Sequence, residues 1–229
     1  MKDAVFLLAD LWMTVVGYFF GWRLIRRYGN YLLGLEWMIV AISGSNFLLW
    51  SLLGGDEGSV LYDVAGFFDA FSRSVGITLI LVLGLMTATH RYKPTLAVEI
   101  GVFGLAIAGG LYLGQFFGEE LHVIPATVYV VVNVLTTLFL VYVGKRLWDA
   151  GARQLAVGTV LVTGVASVIA ITYDFFPFSF DDANRTLFYT AALTTWGAQG
   201  FVYFLAYRAL HNHNMTTHAQ PTQKESATS

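Results

Sequence analysis

Cysteine is absent from this 229-residue chain, and charged residues are scarce. Without cysteine the chain has no disulfide framework, no thiolate metal site, no iron–sulfur cluster and no cysteine nucleophile. Charged residues make up 12% of the chain, about half of the roughly 25% typical of soluble domains, whereas 56% of its residues are hydrophobic. The mean hydropathy is +0.63. This composition predicts a membrane protein rather than a soluble domain.

Seven long apolar stretches are separated by short polar breaks. Each stretch is long enough for a helix to cross about 30 Å of hydrocarbon. The apolar runs are continuous, which excludes the alternating pattern of a membrane barrel. The sequence therefore predicts an all-α, integral membrane bundle of seven transmembrane helices, forming one domain over residues 1–210. The stretches cover residues 4–22, 31–53, 64–89, 95–117, 123–144, 154–174 and 186–209.

The basic residues lie on alternate breaks and therefore predict the orientation of the bundle. Ten of them fall on one side, and only Lys2 and Arg185 fall on the other. Because basic loops stay in the cytoplasm, the N-terminus is expected outside and the C-terminus inside. The ten are Arg23, Arg26, Arg27, Arg91, Lys93, Lys145, Arg146, Arg153, Arg208 and Lys224.

The last residues, 211–229, are polar and lack apolar periodicity. Such a composition predicts a disordered cytoplasmic tail. The short breaks between the spans suggest a multi-pass protein of a prokaryotic plasma or inner membrane.

Several polar residues fall inside the predicted spans, where each costs a few kcal/mol unless it is paired or wet. Asp69 and Arg73 are four residues apart, so they share one helix face and can form an ion pair. With other polar residues at similar depths they predict a pocket near the outer face that binds an anionic or zwitterionic ligand. The alternative is interhelical locking by the same polar groups. The predicted pocket residues are Asp10, Asn46, Asp69, Arg73, Asn133 and Gln199.

A second polar set lies near the cytoplasmic side and comprises Glu36, Glu99 and His90. Together with the pocket these residues predict a proton or ion path. The alternative is that they reach water or pair with the basic loops. At the outer end of the sixth span, Tyr173 and Asp174 are candidates for the rim of the pocket. The alternative is that Tyr173, with Phe175 and Phe176, forms an interfacial aromatic belt.

No cofactor is expected, and no metal site. The five histidines fall at helix ends, in loops or in the tail, which argues against a membrane-embedded haem. Microbial rhodopsins share a seven-span topology, but they hold retinal on a lysine of the last helix, and residues 186–209 contain no lysine. The shared topology is therefore only an analogy of fold.

The spacing Gly110-x-x-x-Gly114 predicts close helix packing or association of two copies of the chain. The other expected partners are membrane lipids and a small-molecule or ion substrate, with no nucleic acid.

The sequence favours a small transporter or ion-coupled permease with an outward polar pocket. The first alternative is a membrane sensor or partner-binding subunit that signals through its cytoplasmic loops, and the second is a lipid-modifying enzyme. No nucleophile elbow, phosphate-binding loop or HExxH motif is present, so a catalytic role has no support in the sequence.

Overall fold

The computed structural model describes residues 2–118, 120–176, 181–182 and 185–226. These residues form seven helices and no strand, which confirms the predicted all-α bundle. The helices are α1 (Lys2–Tyr28), α2 (Tyr31–Leu52), α3 (Val60–Thr89), α4 (Leu96–Leu113), α5 (Val123–Asp149), α6 (Arg153–Thr172) and α7 (Thr186–Ser226).

Helices α1 to α6 are each long and apolar enough to span a membrane. Helix α7 is not among these six. Its hydropathy is lower because residues 211–226 are polar and because Thr190, Thr194, Thr195 and Gln199 interrupt its apolar residues. Many large apolar side chains, such as Leu105, point outward from the bundle. An apolar exterior is the surface that lipid requires, and the fold is therefore that of a multi-pass membrane protein.

Six helices form a ring, and α4 packs against the outside of α3. Helix α1 packs against α2 and α7, α2 against α3, α3 against α5, α5 against α6, and α6 against α7. The ring encloses space at the end where α1 begins, here called the open end. At the other end, the closed end, large apolar side chains fill the centre: Leu24, Leu33, Leu85, Leu147, Tyr207 and Leu210.

The helix ends show why the ring closes as it does. Gly29, at a φ of 61°, reverses the chain after α1. Asn30 then caps α2, because its side-chain oxygen accepts from the Leu33 N–H at 3.0 Å. The same side chain donates to the Gly84 carbonyl of α3 at 2.8 Å. One asparagine thus joins the α1–α2 turn to α3.

Helix α1 runs six residues past its predicted end at residue 22. Each of the three arginines in this extension stacks on a ring of α1 itself, and Arg23 lies 4.2 Å from the centre of the Phe19 ring. Such cation–π contacts stabilise the helix where it leaves the apolar region.

Two aspartates cap the start of α7. Asp181 accepts the Leu187 and Phe188 N–H groups, and Asp182 accepts the Thr186 N–H at 2.9 Å. The Thr186 N–H and, more weakly, the Lys2 ammonium hold the pKa of Asp182 below its usual value.

Helix α7 continues past residue 210 to Ser226. The disordered cytoplasmic tail that the sequence predicts over 211–229 stays a prediction, and its last three residues lie outside the described part. The Asn214 amide donates to the Ala88 carbonyl at 2.7 Å and ties the extension to the end of α3. Residues 211–220 of this extension contain neither glycine nor proline.

Gly110 of α4 and Gly114, which directly follows α4, pack against α3 of the same chain. A Cβ at Gly110 would lie 2.8 Å from the Phe67 ring, and one at Gly114 would lie 3.4 Å from the Gly66 carbonyl. The glycine spacing therefore provides close helix packing within the chain. Association of two copies through these glycines stays a prediction, and this surface is filled by Phe67 in the structure.

Candidate ligand cavity

A cavity of about 970 Å³ occupies the centre of the bundle at the open end. Its mouth is formed by the exposed breaks that follow α2 and α4 and by the start of α7. Its floor is reached at Thr136, Leu140 and Tyr203, about half-way along the helices. Below the floor, the apolar side chains of the closed end continue the packing. The cavity therefore communicates with one face of the bundle and is sealed from the other.

Arg73 is the centre of a charged cluster in the cavity wall. Its guanidinium forms an ion pair with Asp69 at 3.1 Å and a second one with Asp174, which follows the end of α6. The same guanidinium lies between two rings, 4.0 Å from the centre of Tyr129 and 4.2 Å from that of Tyr173. The side chains of Arg73, Asp69 and Asp174 are 10%, 16% and 21% exposed, respectively. The cluster thus joins α3, α5 and α6 and carries one excess negative charge.

The backbone around Arg73 is unusual. Residues Ser72–Ile80 in the middle of α3 form a π-helix, with two α-helical segments, Val60–Phe71 and Leu81–Thr89, on either side. The Ser74 and Thr78 hydroxyls donate to carbonyls one turn earlier, at 2.6 and 2.8 Å. Wide turns of this kind are frequent at functional sites, so the segment is consistent with a functional role for this part of the cavity wall.

A chain of polar groups lines the cavity floor. The Gln199 amide donates to the Tyr203 hydroxyl at 2.9 Å, and that hydroxyl lies 2.8 Å from Thr163 Oγ1. Asn133 lines the same space, and its buried side-chain oxygen has no hydrogen-bond partner. A buried amide oxygen without a partner is costly. It is therefore available to a donor on a bound molecule.

Four of the six predicted pocket residues line this cavity, namely Asp69, Arg73, Asn133 and Gln199. Asn46 does not line it; its amide donates to the Leu61 carbonyl at 2.9 Å and joins α2 to α3. Asp10 is also outside the cavity lining. It is 0% exposed and packs against Gly44, with one long hydrogen bond from Thr14 at 3.4 Å.

The three residues of the predicted ion path are separated in the structure. Glu36 is 0% exposed, and neither of its carboxylate oxygens has a hydrogen-bond partner. It packs against Gly76 in the π-helix, where an added Cβ would lie 2.4 Å from Oε1. His90 is exposed at the end of α3 and stacks on Tyr142, and Glu99 is half-buried in the first turn of α4.

Sequence reasoning left open the role of two cluster members and missed a third. Tyr173, for which an interfacial belt was the alternative, and Asp174 both contact Arg73. Tyr129 was missed because a single tyrosine in an apolar span has no spacing signal that relates it to a residue of another helix. Within the described ranges, no group of three histidine or acidic residues could hold a metal ion.

Comparisons with known proteins do not assign this chain to a class, so the class is described from the fold and the cavity alone. Neither the models of protein families, nor the curated proteins, nor the solved structures provide a match to the chain. What the fold and the cavity define is a multi-pass helical membrane protein with a charged, aromatic cavity open to one face.

Proposed function

We propose that the chain is a small membrane permease, a carrier that binds a solute in its central cavity and releases it on the other side. The observation that supports this most strongly is the shape of the cavity. It is wide at the open end, reaches the middle of the bundle and ends on apolar side-chain packing. By the basic-loop rule the open end is the outer one, so the structure corresponds to the outward-facing state of such a carrier.

The seal at the closed end consists of side chains rather than of a loop or a further element. Leu24, Leu33, Leu85 and Leu147 come from four different helices and meet in one apolar cluster. Small relative movements of packed helices can separate such a cluster, as alternating access requires. The π-helix in α3 offers a backbone irregularity at which that helix can change its winding.

A sensor is the second candidate function, and α7 favours it. This helix contributes Tyr189, Gln199 and Tyr203 to the cavity wall and continues without interruption to Ser226. A ligand in the cavity would touch the same helix that leaves the closed end. A sensor differs from a carrier in one respect that can be measured, because its cavity never opens at the closed end.

Single-cysteine variants test the two functions without knowledge of the solute, since the natural chain has no cysteine. Thr136→Cys places a thiol at the cavity floor, Ser51→Cys one near the mouth, and Lys145→Cys one at the exposed closed end. Each variant would be treated with a membrane-impermeant methanethiosulfonate on intact cells and on inside-out vesicles.

For a permease we expect the floor thiol to react from both sides of the membrane. The mouth thiol should react only from outside, and the closed-end thiol only from inside. Labelling of the floor thiol exclusively from outside would exclude alternating access and leave the sensor as the better interpretation. Labelling of residues 51 and 145 from the same side would contradict the orientation itself.

A further inference from the structure

The charged side chains of the cavity are predominantly acidic. Among the lining residues that the structure describes, four carboxylates face two guanidinium groups. Two of the carboxylates, Asp69 and Asp174, lie in the wall, while the other two belong to the exposed mouth. A low-dielectric cavity with an excess of one charge concentrates ions of the opposite sign. The cavity is therefore electrostatically suited to a cation.

Arg73 does not make the cavity suited to an anion, although a buried guanidinium would by itself favour one. Both carboxylates beside it pair with its guanidinium, and its two faces are covered by Tyr129 and Tyr173. An anion approaching Arg73 would meet the two carboxylates that already neutralise it. The expectation of an anionic or zwitterionic ligand from the sequence did not include Asp174 as a partner of Arg73.

The other guanidinium of the lining belongs to Arg185 at the mouth. Its Nη1 donates to the Tyr173 carbonyl at 3.3 Å, and its guanidinium lies 4.8 Å from the centre of the Phe176 ring. It is therefore oriented toward the end of α6 and engaged there.

Aromatic rings form much of the remaining wall. Phe47 and Trp50 stack with ring centres 5.5 Å apart near the mouth, and Trp196 stacks on Tyr173 deeper in the cavity. Phe68 also belongs to the lining. Aromatic faces attract organic cations and bury their apolar parts.

We infer that the cavity binds small organic cations, with an ammonium group near Asp69 and Asp174 and an apolar body against the aromatic wall. This inference rests on the proposed function, since it takes the cavity to be the solute site. The volume of about 970 Å³ accommodates a molecule of drug-like size. The orphan oxygen of Asn133 adds an acceptor for an ammonium or amide donor.

The charge preference can be measured on a cysteine at Ser167, a half-buried lining residue of α6 two turns before Asp174. Ser167→Cys would be labelled from outside with a cationic and an anionic methanethiosulfonate of similar size. Each rate would be divided by the rate of that reagent with free cysteine in solution. We expect the cationic reagent to be favoured roughly tenfold, as one excess charge within several ångströms predicts in a partly wet cavity.

The matched control removes the charge and keeps the shape. In the Ser167→Cys background, Asp69→Asn, Arg73→Met and Asp174→Asn together should bring the ratio of normalised rates close to one. A probe pair provides a second measurement that needs no cluster variant. The 2-phenylethylammonium ion should protect the thiol from labelling, whereas 3-phenylpropanoate, a molecule of similar shape and opposite charge, should not.

The inference would be overturned if the normalised rates at Ser167→Cys were equal or favoured the anionic reagent. It would also be overturned if 3-phenylpropanoate protected the thiol better than 2-phenylethylammonium, or if neither probe protected it. These failures are separate from failure of the permease. If the floor thiol at residue 136 reacts from one side only while the cationic preference persists, the permease is wrong and the cation site stands. If the floor thiol reacts from both sides but the thiol at residue 167 shows no charge preference, the permease stands and the cation site is wrong.

Discussion

Removal of the Arg73 guanidinium is the most direct test of how the charged cluster is held together. Arg73→Met keeps a long unbranched side chain but leaves Asp69 and Asp174 beside each other without a cation. Breaking a buried ion pair by deleting one partner typically costs about 3–5 kcal/mol. Because these side chains are 10% to 21% exposed, the lower end applies, and we expect a loss of about 3 kcal/mol.

The assay is thermal unfolding of the purified protein in detergent. For a chain of this size a change of 1 kcal/mol shifts Tm by about 2–4 °C, so Arg73→Met should lower Tm by about 6–12 °C. The matched control is Lys145→Met, which breaks an exposed pair with Asp149 whose side chains are 70% and 48% exposed. An exposed pair contributes less than about 1 kcal/mol, so this variant should remain close to wild type.

The neutral triple variant Asp69→Asn/Arg73→Met/Asp174→Asn separates charge from packing. It removes the cation and both carboxylates, and we expect it to recover most of the stability that Arg73→Met loses. Two results would refute the reasoning. One is a Tm shift in Arg73→Met no larger than that of the Lys145 control, and the other is a triple variant as unstable as the single one.

Three further stability changes are expected in the same assay. Gly17→Ala should cost about 1–3 kcal/mol, because its Cβ would lie 2.7 Å from the Trp37 carbonyl, whereas Gly101→Ala, with nothing within 4 Å, should be neutral or slightly stabilising; equal effects would contradict this. Glu36→Met should stabilise by about 1–3 kcal/mol by removing a buried carboxyl without partners, and a loss would show that the carboxyl has partners. Asn30→Ala should cost about 2–3 kcal/mol, since it removes a helix cap and the bond to Gly84; a change under 1 kcal/mol would contradict this.

The helices could be predicted from the sequence because few backbone structures are stable in lipid. A backbone in hydrocarbon must satisfy its own hydrogen bonds, and seven apolar runs of spanning length therefore become seven helices. The polar breaks and the helix starts at residues 31, 123 and 186 agree with the predicted ones. The i, i+4 spacing likewise predicted the pair of Asp69 and Arg73, since this contact depends only on local helix geometry.

Which face of each helix points toward the interior of the bundle could not be predicted in the same way. In a soluble protein a polar face shows which side is exposed, but a lipid-facing surface is as apolar as the buried one. Asp10 was therefore expected in the pocket from its depth alone, whereas α1 turns it toward Gly44 of α2. Contacts between distant segments were hidden for a related reason, as Arg73 and Asp174 are 101 residues apart. The apolar pattern of residues 64–89 predicted one continuous α-helix and did not indicate the π-helix at Ser72–Ile80.

The position of Arg73 suggests how occupancy of the cavity would be transmitted. A cation held by Asp69 and Asp174 competes with Arg73 for the same oxygens, and Arg73 belongs to the π-helix of α3. Three residues further on, Gly76 of that segment packs against the fully buried Glu36. A ligand that weakens the ion pairs of Arg73 therefore acts on the π-helix, the only such segment in the described helices. A movement of the π-helix would in turn shift Gly76 against the Glu36 carboxyl, which has no hydrogen-bond partner among the described residues. Arg73 of the charged cluster and the π-helix thus belong to α3, and the buried carboxyl of α2 packs against that same segment. This arrangement is expected if solute binding is coupled to movement of α3.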